Sequence, residues 1–207
     1  EEIINVGMIT RQGMLNDFLQ RSVISCVLDY AAQEGVQYEY YNEETDDCLE
    51  SQAGSPIDRA YLEASDIAII IELIQKLNKH DNVRLFLKVH PREDRGVWEG
   101  FFSKHNLIVE LAEWRTPYMH WVSHLDYVIG SASTTFYDSY VAGVQPICTS
   151  KIDKLRLAHL HDGAEEFNAL MEFVPQPESV DEVVSTIVSN SKAFVMGEGI
   201  KEVLNKE

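Results

Sequence analysis

Short apolar segments alternate with segments of helical periodicity along most of the chain. The first apolar run, Ile3–Ile9, ends at the turn-like Thr10–Gly13, which predicts a buried parallel strand. Apolar residues from Leu15 to Leu28 then recur at helical spacing until Gly35 stops the pattern. The next residues, Val36–Tyr41, alternate enough to predict a second strand.

Regular alternation resumes after an acidic, irregular stretch, Asn42–Ser65, which contains Gly54 and Pro56. We interpret it as either a surface excursion or a departure from a simpler ancestral sequence. The elements predicted after it are helix Ile67–Asn78, strand Val83–Val89, helix Asp94–Lys104, strand Leu107–Leu111, helix Pro117–Ser123, strand Tyr127–Ile129, helix Thr134–Ala142, strand Pro146–Cys148 and helix Val180–Ser189.

This order is typical of an α/β fold. It predicts one Rossmann-like domain over residues 1–207, with a mostly parallel sheet of about six strands and helices on both faces. Val83–Val89 and Tyr127–Ile129 are nearly uninterrupted in their apolar character, so we expect both strands to be central.

Composition and charge limit the kinds of ligand and partner that the protein is expected to bind. With 207 residues and 45% hydrophobic side chains, the chain can bury a substantial core. Its formal net charge of -17 repels phosphate backbones, so nucleic acid is not expected as a partner. A nucleotide remains compatible, because one small anion needs only a local cluster of N–H groups and one or two cationic side chains.

Cysteine usage and hydropathy predict a soluble protein of the cytoplasm, or one peripheral to the inner face of the membrane. The 3 cysteines are too scattered for a disulfide framework. The longest apolar run, Ile67–Ile71, is too short to span a bilayer. His120 and His124 would share one face of a helix, but they have no evident third ligand, so we expect no bound metal.

Ligands of parallel α/β sheets bind beyond the carboxyl ends of the strands. His90 ends a predicted strand there, and Pro91 biases it away from helical angles, which keeps the imidazole at the strand tip. An imidazole in that place can donate to a phosphate oxygen or protonate a leaving phosphate. The alternative is a histidine bonded to a nearby carbonyl in a turn.

A second candidate is the turn after strand Tyr127–Ile129. Free backbone N–H groups and hydroxyls at a helix start would face an anion there. Alternatively, Ser133 is only a helix N-cap, and the hydroxyls of Ser131 and Thr135 are solvated. The candidate phosphate-binding residues of this turn are Ser131, Ser133, Thr134 and Thr135.

Together, His90-Pro91 and Ser133-Thr134 resemble the His-Pro and Ser-Ser/Thr motifs of bacterial GT-B glycosyltransferases that use CMP-activated sugars. These are the sialyl-, polysialyl- and Kdo transferases, and the resemblance is closest to capsule and surface-polysaccharide enzymes. It covers roughly residues 83 to 146. It implies the nucleotide-binding C-terminal lobe of such an enzyme, a CMP-sugar donor with no further cofactor, and His90 as the catalytic residue that holds or protonates the CMP phosphate.

Further residues follow from the resemblance or from their place in the fold. Asp138, five positions before Gly143, resembles the acidic residue that bonds the ribose hydroxyls, although a solvated helix carboxylate is the alternative. Arg11 follows the first strand, where its guanidinium can donate hydrogen bonds to two phosphate oxygens. The alternative is an ordinary surface arginine. The resemblance also implies that Glu113, Trp114 and Tyr118 contact the base of the nucleotide, because their segment lies where this fold normally cups the base; the alternative is that the aromatic side chains pack against a neighbouring helix.

The sequence departs from the family in one respect. Its members carry an acidic Asp-Gly motif in a preceding lobe, and no such motif precedes His90. We therefore expect the general base and the carbohydrate or glycolipid acceptor site in a missing lobe or a partner. The alternatives are a transferase using CDP-glycerol or a relative, a sugar-nucleotide epimerase, and a noncatalytic nucleotide-binding or regulatory domain.

Overall fold

Strands and helices alternate along the described part of the chain. The computed structural model describes residues 2–10, 56–91, 93–113, 115–131, 133–152 and 171–189. The elements are β1 (Ile4–Ile9), α1 (Pro56–Leu77), β2 (Val83–Lys88), α2 (Arg95–Lys104), β3 (Glu110–Leu111), α3 (Tyr118–Val122), β4 (Tyr127–Gly130), α4 (Thr135–Val141), β5 (Gln145–Cys148) and α5 (Val180–Ser189).

The five strands form one parallel sheet in the order β3-β2-β1-β4-β5. The central strand β1 pairs with β2 from Ile4↔Val83 to Ile9↔Lys88, and with β4 through Val6↔Tyr127. The predicted α/β, Rossmann-like fold is thus confirmed, with β2 and β4 both inside the sheet. The strand count among the described residues is five rather than about six, and the predicted strand Val36–Tyr41 lies outside these residues.

Helices cover both faces of the sheet because successive strand residues point to opposite sides. Met8, Leu87 and Ile129 belong to a core shared with α1, α2 and α5. Val128 and Cys148 belong to the other core, which α3 and α4 cover. Burying a large apolar side chain contributes about 1.5–3 kcal/mol, so the two cores fix the sheet between its helices.

Two element boundaries differ from the sequence prediction by more than one residue. The interpretation of Asn42–Ser65 as irregular is wrong over its last ten positions, because α1 begins at Pro56. Proline is compatible with the first helical position, since the N–H that it lacks would have no partner inside the helix there. The predicted strand Leu107–Leu111 shortens to β3 because Asn106 takes a positive φ of 53° and Leu107 N–H donates to Phe102 O.

The strand order brings the predicted site segments to one edge. The chain passes from β3, on one side of β1, to β4 on the other side. In open α/β sheets the crevice at such a switch point, beyond the carboxyl ends of the strands, is where ligands bind. Within the described ranges, no helix is both long and apolar enough to cross a membrane.

Candidate functional site

A cleft of about 590 Å³ opens at the carboxyl ends of β1, β2 and β4. Its walls are the last residues of β1 and β2, the turn before α3 and the turn between β4 and α4. The predicted site residues that line it are His90, Pro91, Tyr118, Ser131, Ser133, Thr134 and Thr135. The structure therefore brings the His-Pro segment and the hydroxyl-rich turn together on one cleft, whereas phosphate binding by them stays a prediction.

The backbone of His90 is held from two directions. Its N–H donates to Thr10 Oγ1 at 2.8 Å, and Thr10 is only 8% exposed. Its carbonyl accepts from Glu93 N–H at 2.9 Å, which closes a turn around Pro91. Glu93 is itself buried and its Oε2 accepts from Trp98 Nε1 at 2.6 Å. The histidine is thus attached to β1 and to the core under α2, so its position at the strand tip is well defined.

The turn after β4 presents hydroxyls that are partly committed to one another. Ser133 Oγ and Thr135 Oγ1 lie 2.8 Å apart, and Thr135 N–H donates to Ser133 Oγ at 3.3 Å. The N-cap position is Thr134, whose side chain makes no capping hydrogen bond. The alternative reading of Ser133 as a cap is therefore correct in part, since its hydroxyl accepts from one backbone N–H of this helix start.

Tyr118 joins α3 to α4 at one wall of the cleft. Ser139 Oγ donates to Thr135 O at 3.0 Å, so the 2.9 Å contact between Tyr118 Oη and Ser139 Oγ has the phenol as donor. Burial raises the pKa of Tyr118, and the phenol therefore stays protonated at neutral pH. This bond fixes the ring as a wall of the cleft.

Lys88, the last residue of β2, lines the cleft and was not predicted from the sequence. Its Nζ donates to Thr116 O at 2.8 Å and lies 5.9 Å from the centre of the Trp121 ring. Burial lowers the pKa of Lys88. The only sequence signal was a single lysine in the otherwise apolar run Leu85–Val89, a pattern that an ordinary exposed strand position also produces.

Other predicted residues lie elsewhere. Asp138 is exposed on α4 and does not line the cleft. Glu113 is exposed and its Oε2 lies 3.5 Å from Arg95 Nη1, also away from the cleft. Arg11 and Trp114 fall outside the described residues. The ribose role of Asp138 and the base-binding role of Glu113 stay predictions.

The presence of a glycine at position 143 is explained by the way α4 ends. It adopts a φ of +76°, its N–H donates to Tyr140 O at 3.0 Å, and Val144 N–H donates to Ser139 O at 2.9 Å. This pair of bonds is the Schellman ending of a helix, which favours glycine. The spacing from Asp138 to Gly143 is therefore explained by where α4 stops.

His120 and His124 contact each other edge to face, with ring centroids 5.3 Å apart and an interplanar angle of 79°, and both are exposed. No group of three or more potential metal ligands occurs in the described part of the chain. The expectation of no bound metal stays a prediction for the whole chain.

Comparison of the sequence with models of known protein families and with curated proteins gives no match.

Proposed function

We propose that the chain is the nucleotide-binding lobe of a glycosyltransferase of surface polysaccharide synthesis, and that the cleft holds the phosphate of a CMP-activated sugar. The observation that carries this proposal is the presence of His90 and the hydroxyls of Ser131–Thr135 on one cleft at the switch point of the sheet. Such a crevice is where Rossmann-like sheets bind nucleotides.

The charge of the cleft supports an anionic ligand. The protein as a whole carries a formal net charge of -17, with 34 acidic residues. The described lining of the cleft nevertheless includes Lys88 and His90 and no Asp or Glu. A phosphate that enters the cleft therefore meets cationic and hydroxyl donors, although the protein surface as a whole repels anions.

The proposed chemistry is the departure of CMP from the sugar. The bond between the anomeric carbon and a phosphate oxygen breaks, its electron pair stays on that oxygen, and the oxygen of the acceptor hydroxyl becomes bonded to the anomeric carbon as it loses its proton. His90 donates a hydrogen bond or a proton to the departing phosphate, and the hydroxyls of Ser133 and Thr134 stabilise its charge. The described lining offers no carboxylate as general base, so the acceptor hydroxyl is activated by a group outside it.

A noncatalytic nucleotide-binding domain is the second candidate, and the same lack of a carboxylate in the described lining favours it. Both candidates require CMP binding, whereas only the first requires the release of CMP from a CMP-sugar.

Binding tests the proposal directly. We expect CMP or CDP to raise the melting temperature, and His90→Ala and Ser133→Ala each to weaken binding about 10- to 100-fold, the loss of one charge-assisted hydrogen bond. His124→Ala and Ser103→Ala remove the same side chains at exposed positions outside the cleft and serve as matched controls. Unchanged affinity in both cleft variants, or no binding of either nucleotide to the wild type, would refute the proposal.

A further inference from the structure

We infer that Lys88 is the residue that supplies a positive charge for the ligand's phosphate, an inference that rests on the proposed function. Lys88 lines the same cleft as His90 and the hydroxyl turn. Neither the family motifs nor the strand pattern assigns it a role.

The ammonium of Lys88 has capacity for a ligand. An ammonium has three N–H donors, and within the described residues Thr116 O accepts one of them, at 2.8 Å. No acidic side chain in the described ranges lies within salt-bridge distance of it. Lys76 is the contrasting case, because its Nζ contacts Glu72 at 2.7 Å and Asp181 at 2.8 Å.

The lack of a counter-ion among the described residues matters because Lys88 is partly buried. Removing a charge from water without an opposite charge is unfavourable, and its lowered pKa is the expected sign of that burial. A phosphate in the cleft would provide the absent negative charge and accept the remaining N–H donors. The attraction is strengthened because the cleft wall excludes part of the water that screens surface pairs.

The position of the charge is fixed by its surroundings. Trp121 is 7% exposed, and the Lys88 ammonium lies over its ring while bonded to the Thr116 carbonyl. Both contacts hold the ammonium at the cleft wall before any ligand arrives. A group held in this way loses little conformational entropy on binding.

The test compares the contribution of the phosphate to binding in three proteins. We would measure the dissociation constants of CMP, cytidine and inorganic pyrophosphate for the wild type, Lys88→Gln and Lys79→Gln. Lys79→Gln is the matched control, because Lys79 is exposed in the turn before β2, at the opposite edge of the sheet. We expect Lys88→Gln to lower the ratio of the cytidine to the CMP dissociation constant about 10- to 100-fold, and Lys79→Gln to leave it unchanged.

A purely structural role would give a different result. If Lys88 only supports the Thr116 turn, Lys88→Gln weakens cytidine and CMP equally, and the inference is overturned. Should Lys88→Gln not fold, NMR of the wild-type lysine side chains decides: CMP must shift the Lys88 ammonium resonance and cytidine must not.

The proposed function and the inference about Lys88 are overturned by different results. Binding of pyrophosphate but of no cytidine compound overturns the proposed function, and the effect of Lys88→Gln on pyrophosphate then decides the inference. CMP binding with an unchanged ratio in Lys88→Gln overturns the inference alone. If the wild type binds none of the three probes, both proposals are wrong.

Discussion

Gly130 closes β4 directly beside β1, and its replacement by alanine is the sharpest test of how these strands pack. A Cβ at this position would lie 2.5 Å from Ile9 Cγ1 and 3.0 Å from Ile9 Cδ1. Carbon atoms in ordinary contact are about 3.5–4.0 Å apart, so one side must move by roughly 1 Å. Ile9 is β-branched and stiff at χ1, which makes that movement difficult.

The loss of stability expected for Gly130→Ala follows from this overlap. Overpacking of this kind costs about 1–3 kcal/mol, and the lower backbone entropy of unfolded alanine offsets about 0.4–1 kcal/mol. We expect Gly130→Ala to lower the free energy of unfolding by about 1–2 kcal/mol. At roughly 2–4 °C per kcal/mol for a domain of this size, the melting temperature should fall by about 2–8 °C.

Urea denaturation followed by circular dichroism measures this change. Gly100→Ala is the matched control, since a Cβ at this exposed position on α2 would have nothing within 4 Å. We expect that control to be stabilising by about 0.5–1 kcal/mol, as alanine is in a helix interior.

A second background isolates the contact. In the Ile9→Ala protein the obstructing atoms are gone, so Gly130→Ala should be neutral or slightly stabilising there. If Gly130→Ala is equally harmful in both backgrounds, or harmless in the wild type, the packing of β4 on β1 described above is wrong.

Two further outcomes follow from the core under α4. Gly143→Ala places a Cβ on a backbone with φ of +76°, so it should lower the free energy of unfolding by about 1–2 kcal/mol in the same urea assay; a neutral variant would contradict the left-handed helix ending. Burial raises the pKa of Tyr140 from 10.0 to about 12, and its hydroxyl donates to Phe173 O at 2.9 Å. Its contribution to stability is therefore fully present below pH 10 and is lost as pH rises through about 12. Phenolate absorbance and unfolding measured across this range should show that loss in the wild type, and Tyr140→Phe should reduce it.

The strands and helices around the sheet could be predicted because each has a hydrophobic pattern that is contained within a few neighbouring residues. Strand residues such as Leu85, Leu87 and Val128 are apolar in short runs, and the helices between them keep a helical period. The start of α1 was missed because proline marks both turns and first helical positions, and the sequence around Pro56 does not separate the two. The shortening of β3 depends on the conformation of Asn106, which no pattern of apolar residues reveals.

The predicted site residues lie on one cleft only where one rule applied. His90 and the Ser131–Thr135 turn share a cleft because parallel strands end at the same edge. The place of Lys88 on the cleft wall was not predicted because its contacts are with Thr116 and Trp121, which come from a distant part of the chain. Contacts of this kind are set by packing between elements.

The central position of β1 has a consequence for the order of folding. It belongs to the first residues of the sequence, yet the strands on either side of it arrive much later: Ile4 is paired with Val83, and Asn5 N–H donates to Asp126 Oδ2 across 121 positions. Such contacts are non-local, and proteins rich in them fold slowly because long loops must close first. During synthesis, β1 would leave the ribosome long before β4 exists to cover its second edge. An apolar strand with unpaired edges is prone to aggregation, so nascent chains that stop short of residue 127 should depend on chaperones more than the finished protein does.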